Sequence, residues 1–151
     1  GLSLARGHNV LVGASNYYRP YLCKDGREFA VAAIEPQFYR TLLQRIGAPV
    51  EWAEDQHDPS VWPERSAAMA AIFLTRTRDE WTAILEDSDA CGAPVLELAE
   101  VPTHPQIAER NGYALHEGIV QQAPAPRFSR TPGAIGPDEC GEAMLERWKM
   151  G

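Results

Sequence analysis

The sequence predicts an α+β fold: a small antiparallel sheet of about three strands, the first two a hairpin, packed with helices and followed by an extended proline-rich connector and a terminal helix. Three observations predict it. Two strand-like runs flank Asp25-Gly26, and an Asp-Gly pair between such runs is a strong hairpin signal. Phe38, Tyr39, Leu42, Leu43 and Ile46 recur at the three-and-four spacing of one buried helix face. Pro124, Pro126, Pro132 and Pro137 crowd a stretch that cannot join a helix, because proline lacks the N–H and clashes with the preceding turn.

Residues 1–16 mix polar and apolar side chains around Gly1, Gly7 and Gly13 without a defensible period, so an irregular lead-in is expected. Tyr17 to Cys23 and Arg27 to Ile34 form the hairpin. Pro20 cannot donate to a ladder, which places the first strand at an edge or bulges it there. The second strand runs straight into Glu35 and Pro36. Proline is favoured at the first helical position, so a helix is predicted from Pro36 to Ile46, with Gly47 as its left-handed stop. Gln37, Arg40, Thr41, Gln44 and Arg45 form its outer face.

Ala48 to Trp62 holds Pro49, Asp55, Asp58 and Pro59 and reads as a loop or irregular excursion. A helix follows from Pro63 to about Leu74, with Met69, Ile72 and Phe73 at apolar spacing. Thr77 with Glu80 three residues on is a capping-box pattern, so another helix should run from Arg78 to about Asp87 and bury Trp81, Ile84 and Leu85. After a turn at Asp89 to Gly92, Ala93 to Leu96 reads as a short strand. Pro105 to Arg110 reads as a short helix stopped by Asn111 and Gly112, and Ile119 to Gln122 as a further strand. Gln122 to Pro137 is the extended connector. Glu139 to Met150 is the terminal helix, with Met144, Leu145 and Trp148 on one side.

Composition narrows the function. A chain of 151 residues with 44% hydrophobic content fits one ordinary domain with its own core. A net charge of −7 without a basic run argues against a nucleic-acid partner, since phosphates are bound by clustered Lys and Arg. The longest unbroken apolar run, Ala67 to Leu74, is far short of the ~20 residues that span a bilayer. Nothing at the N-terminus reads as a signal peptide. Cys23, Cys91 and Cys140 are odd in number and widely spaced, which suggests neither a disulfide framework nor a zinc site and fits a reducing cytoplasm.

Glu35 is the chief candidate for chemistry. A carboxylate at a strand-to-helix junction sees the positive end of the helix dipole and nearby free N–H groups, so it should be ionised near neutral pH. The plain alternative is a helix cap, although glutamate is not among the preferred N-cap residues. Such a carboxylate can orient and charge-tune an imidazole but cannot run acid–base chemistry alone. The histidines do not complete it. His8 and His116 fall in irregular segments, His57 in an acidic loop, and His104 just before Pro105 at a helix start, so surface or capping roles are expected for all four.

The stretch Ala33-Ile34-Glu35-Pro36-Gln37-Phe38-Tyr39, preceded by Lys24, Asp25, Gly26 and Arg27, resembles the small-domain signature of the α-methylacyl-CoA racemases, members of the family III (CaiB/BaiF-type) CoA-transferase superfamily. Thr75 to Trp81 resembles that family's TRDEW helix opening. Asp89 to Val95 resembles its DAC-x-x-PV turn and strand. Val101, Pro102, His104 and Pro105 resemble the segment that follows, and Ala123 to Pro132 its return strand. The order and spacing match over most of Gly7 to Pro132. Two positions depart: Ala32 stands where the family often has Gly, and Val12 where it has Asp before the Gly-Ala pair, which bears on the shape of the acyl pocket.

The resemblance implies the following organisation. Residues 1–16 connect from a large N-terminal domain that this sequence lacks, 17–122 are the small domain, and 123–151 are the return segment and C-terminal helix. It implies an isomerase that epimerises C2 of 2-methyl-branched acyl-CoA thioesters by 1,1-proton transfer, in fatty-acid or sterol side-chain metabolism. No metal or other cofactor is implied, coenzyme A being part of the substrate. In such enzymes a His and an Asp of the large domain exchange the proton, and two chains interlock so that the small domain of one covers the site of the other. Glu35 takes the place of the catalytic Glu that pairs with that His, while Tyr18, Ile34 and Gln37 are expected on the acyl side. Arg127 and Arg130 could reach a phosphate, but solvated ion pairs account for them more simply. The alternatives are the corresponding part of a family III CoA-transferase, which has no need of this Glu, and a non-catalytic interaction fragment when the chain is alone.

Overall fold

The structure, a computed structural model, describes residue 5, residues 8–136 and residues 141–149. The chain divides into two compact units, 1–95 and 96–151.

In the first unit, strands β1 (Tyr18–Leu22), β2 (Glu28–Ala32) and β3 (Gly92–Pro94) form an antiparallel sheet in the order β1-β2-β3. Pro20 therefore does sit on an edge strand. The hairpin turn carries Gly26 at φ 77°, a left-handed conformation that glycine adopts without a Cβ clash. The Asp25 carboxylate also accepts the backbone N–H of Arg78 at 3.3 Å, and the Lys24 N–H donates to the Arg76 carbonyl at 2.8 Å. The turn is thus seated on the start of a helix far along the chain.

That helix is α3 (Arg78–Leu85), opened by the predicted capping box: Thr77 and Glu80 each receive the other's backbone N–H. It ends at Leu85, short of Asp87. Helix α1 (Pro36–Ile46) has the predicted bounds, with proline at its start and Gly47 left-handed at its end. Helix α2 (Trp62–Phe73) starts one residue before the expected Pro63, so Trp62 belongs to the helix and not to the excursion that precedes it. That excursion is itself ordered by a 3-10 turn at Val50–Ala53 and by Arg65, whose guanidinium bonds the Trp52 carbonyl at 2.9 Å and Asp55 at 2.6 Å.

One face of the sheet meets all three helices. Tyr21, Phe29 and Val31 from the strands, Tyr39, Leu42, Leu43 and Ile46 from α1, Met69 and Phe73 from α2, and Trp81 and Leu85 from α3 are buried together. Phe73 is central: its ring stacks on Tyr21 at 5.0 Å and Phe29 at 5.9 Å and meets Trp81 at 5.0 Å, while the Trp81 indole N–H donates to the Phe73 carbonyl at 2.9 Å.

The second unit contains α4 (Pro105–Glu109), strands β4 (Tyr113–His116) and β5 (Ile119–Gln122), and α5 (Gly141–Lys149). The two strands pair as a separate antiparallel hairpin around Glu117 and Gly118, both at positive φ. His116 is therefore on a strand, not in an irregular segment. Among the described residues of the proline-rich connector beyond Gln122, none joins a helix or strand. The expected terminal helix is present over 141–149; its expected residues Glu139, Cys140 and Met150, and the connector's Pro137, lie outside the described residues, as do most of residues 1–7.

Candidate functional site

The strand-to-helix junction is fixed atom by atom on its backbone side. The Ala33 N–H donates to the Tyr17 carbonyl at 3.0 Å, the Ile34 N–H to Ala32 at 3.0 Å, and the Ala32 N–H to Cys91 at 2.8 Å. Glu35 then sits at the N-cap of α1 in an extended conformation, φ −75° and ψ 139°, with its carbonyl accepting the N–H groups of Phe38 and Tyr39. Its side chain makes no cap hydrogen bond and is exposed. A serine or aspartate in this place would reach back to the second or third helical N–H; the longer glutamate projects outward.

Gln56 completes the junction, and nothing local in the sequence pointed to it. It is 2% exposed, its side-chain amide nitrogen donates to the carbonyls of Ala33 at 3.1 Å and Ile34 at 2.9 Å, and its backbone carbonyl receives the Trp62 indole N–H at 2.8 Å. The residues before Glu35 are thereby tied to the start of α2. Asn16, fully buried, joins α1 to β1: its side-chain amide donates to the Tyr39 hydroxyl at 2.7 Å and its backbone carbonyl accepts the Tyr21 hydroxyl at 2.6 Å.

Tyr17 lies beside these groups. Its ring is tilted against Tyr39 at 5.4 Å and meets Trp62 edge-on at 6.1 Å, and its hydroxyl is 3.2 Å from Nδ1 of His57. Burial raises the Tyr17 pKa above its usual value, so the phenol stays protonated. The half-buried Cys91 thiol is likewise pushed up, by burial first and then by the charges of Glu35 and Asp89, which keeps it from acting as a thiolate nucleophile.

The proposed site residues fall in two places. Ile34, half-buried, Glu35, and Gln37, exposed in the first turn of α1 with its carbonyl accepting the Thr41 hydroxyl at 3.0 Å, belong to the junction. Tyr18 is half-buried on β1 opposite Ala32 and lines a separate cleft of about 390 Å³ with Leu11, Val12, Arg19 and Val31. A second cleft of about 320 Å³ is lined by His8, Asn9, Val10, Leu11, Tyr17, His57, Pro59 and Trp62. Among the described residues, no three His, Cys, Asp or Glu side chains group closely enough to hold a metal ion, and no helix is long and apolar enough to cross a membrane.

With this geometry in view, comparison with known proteins is specific. The family model described as CoA-transferase family III matches residues 4–139. Alpha-methylacyl-CoA racemase of Mus musculus is 39% identical over 128 residues, covering 84% of this chain and 34% of its own, and the Homo sapiens protein of that name is 38% identical over the same length. The chain therefore spans about a third of the length of these relatives. The orthorhombic crystal structure of Rv3272 from M. tuberculosis shares the fold, with a TM-score of 0.67 and 16% identity over 82% of this chain and 36% of that one.

Proposed function

This chain belongs to CoA-transferase family III, and from that premise we propose that it is the small-domain portion of an α-methylacyl-CoA racemase. Residues 17–122 would form that domain, joined by 1–16 to a large domain and closed by 123–151. Inverting a carbon α to a thioester requires a proton to leave one face and another to arrive on the other, so two acid/base groups must flank the carbon. The enolate oxygen between them needs donors set in advance. In this reading both acid/base groups, an imidazole and a carboxylate, come from the large domain. Glu35 hydrogen-bonds the imidazole, holding its tautomer and stabilising its charged form, while Tyr18, Ile34 and Gln37 bound the acyl side. The substrate is a 2-methyl-branched acyl-CoA, the assembly an interlocked homodimer, and the compartment the cytoplasm.

The observation that carries the reading is the unused Glu35 carboxylate. Its backbone opens the helix directly after Ile34, whose carbonyl Gln56 holds, yet its side chain is exposed and caps nothing. Fixed at the root and free at the tip, it is available to a group from outside this chain. The 38–39% identity to racemases supports that partner's being theirs.

The test joins this chain to a large domain of the same family and follows exchange of the C2 proton of a 2-methylacyl-CoA for deuterium. Glu35→Gln should lower kcat by about 10²-fold, the low end for a general acid–base contribution, with little change in KM. Retained exchange would refute the role of Glu35. Acyl transfer between CoA thioesters that is unaffected by Glu35→Gln would favour the transferase instead, and exchange by the chain alone would place the acid/base groups here after all.

A further inference from the structure

The second unit holds a cleft that the role of Glu35 does not use. It measures about 380 Å³, within the ~300–1,000 Å³ of small-molecule pockets, and lies between the end of α4 and residues 123–127. A tight return of the chain builds it. Asn111, left-handed at φ 49°, turns the backbone after α4, and the Gly112 N–H donates to the Ile107 carbonyl at 2.9 Å. A Cβ at Gly112 would lie 2.9 Å from Cγ2 of Ile107 and 3.3 Å from the Ile107 oxygen, so glycine lets the return close. The Gly112 carbonyl in turn accepts the Ala123 N–H at 2.9 Å, which draws the segment after β5 against it.

Ile107, Ala123, Pro124 and Ala125 give the cleft apolar walls, and among the described residues its charged lining groups are Arg110 and Arg127. Both side chains are exposed, so a solute can reach them. Arg127 is anchored: its Nη2 donates to the Asn111 carbonyl at 2.6 Å, next in the chain to Arg110, and its other N–H groups remain available. Its partner is thus a backbone oxygen and not the solvated ion pair that the sequence suggested. Among the described residues, no carboxylate pairs with either arginine. Two guanidiniums brought to one cleft in a chain of net charge −7 repel each other, and an anion between them reverses that cost. A carboxylate neutralises only one of them. A phosphate monoester carries about −1.5 to −2 near pH 7 and has oxygens enough for both forks.

We propose that this cleft binds a phosphate monoester carried on an apolar or aromatic body such as a nucleoside. Arg110 and Arg127 hold the phosphate oxygens, and Ile107 and Pro124 cover the body. The proposal goes beyond the role of Glu35 and does not depend on it. Two sources share this chemistry: the 3′-phosphate at the nucleotide end of coenzyme A, and a free 5′-nucleotide.

The 151-residue chain can be titrated with 3′-AMP, 5′-AMP and adenosine, with NMR following the Gly112 amide and the Nε–H signals of Arg110 and Arg127. At least one nucleotide should shift all three signals saturably, and adenosine should bind about tenfold more weakly or worse, the size of one lost charge-assisted hydrogen bond. Arg110→Gln, on an exposed side chain, should keep the melting transition and weaken the nucleotide by about the same factor. Arg127→Lys keeps the charge but not the fork, and should also weaken it. Lowering the pH through the second phosphate pKa of about 6 should loosen the nucleotide and leave adenosine unchanged. Tighter binding of 3′-AMP would support the site and assign its phosphate to coenzyme A; tighter binding of 5′-AMP would support it and assign a free nucleotide. No saturable shift, adenosine binding as tightly as both nucleotides, or an affinity untouched by Arg110→Gln would each overturn the proposal. Glu35→Gln should leave this binding as it is, so the exchange assay and this titration can fail separately.

Discussion

Replacing Gln56 tests the scaffold behind Glu35 directly. Gln56→Leu keeps most of the side-chain volume and removes both donors, leaving the carbonyl of the fully buried Ala33 and that of the half-buried Ile34 without their partner. Each net hydrogen bond contributes about 1 kcal/mol, and a buried polar group left unpaired costs about 1–3 kcal/mol. The Gln56 amide oxygen is itself buried without a partner, so deleting it returns part of the loss. The balance is a destabilisation of about 2–3 kcal/mol, a large part of the ~5–15 kcal/mol typical of a domain. Urea unfolding of the chain measures it, with an unchanged m-value as the sign that the unfolded state is unaltered. Gln56→Glu adds a pH arm. A carboxylate there faces two carbonyl oxygens and cannot donate, whereas the protonated acid can, so its folded pKa is raised above the ordinary ~4.3. Stability relative to wild type is then greatest below that ordinary value and falls as pH rises through the folded pKa. A loss under about 1 kcal/mol for Gln56→Leu, or a flat difference for Gln56→Glu from pH 4 to 8, would refute this account of the junction.

Two further changes probe other joints. A Cβ added at Gly92 would lie 2.8 Å from Cε1 of the buried Phe29 ring and 3.5 Å from Leu85, so Gly92→Ala should cost about 1–3 kcal/mol by overpacking, measured by thermal unfolding. Thr77→Ala removes the hydroxyl half of the capping box and should cost about 1 kcal/mol in the same assay. The Glu80 carboxyl is held below its ordinary value of 4.5 by the Thr77 N–H and hydroxyl, so its contribution is present above that value and lost as pH falls through the depressed one; Glu80→Gln should flatten that acid limb.

The parts legible in the sequence are those set by neighbours in the chain. Asp25-Gly26, Pro36 with Gly47, and Thr77 with Glu80 each act within a few residues, and each marks an element that forms. The β4–β5 hairpin had its signal too: Glu117-Gly118 occupies consecutive positive-φ positions of 50° and 83°, the conformation an Xaa-Gly turn favours, but Tyr113 to His116 alternates too weakly to read as a strand without it. Gln56 and Arg65 were out of reach for another reason. Gln56 bonds groups 22 and 23 residues away, and Arg65, on a helix whose pattern marks only its apolar positions, is 8% exposed because it turns back onto Trp52 and Asp55. Polar residues whose partners are distant carry no periodicity, so sequence places Glu35 but not the groups that hold it.

Glu35 itself is where local stability and function pull apart. At an N-cap with extended dihedrals, Asp is a better residue than Glu, because its shorter side chain reaches the helical N–H groups while keeping the same charge at the positive end of the dipole. Glu35 forgoes that bond. Glu35→Asp should therefore stabilise the chain by about 0.5–1 kcal/mol in thermal unfolding, since it adds a cap without removing the charge. The same change draws the carboxylate back onto its own helix and away from any outside imidazole, so exchange in the joined enzyme should fall even as stability rises, the trade expected where a side chain is kept for its reach. A destabilised Glu35→Asp would show instead that the longer side chain serves the fold, and would remove the main reason to assign it to catalysis.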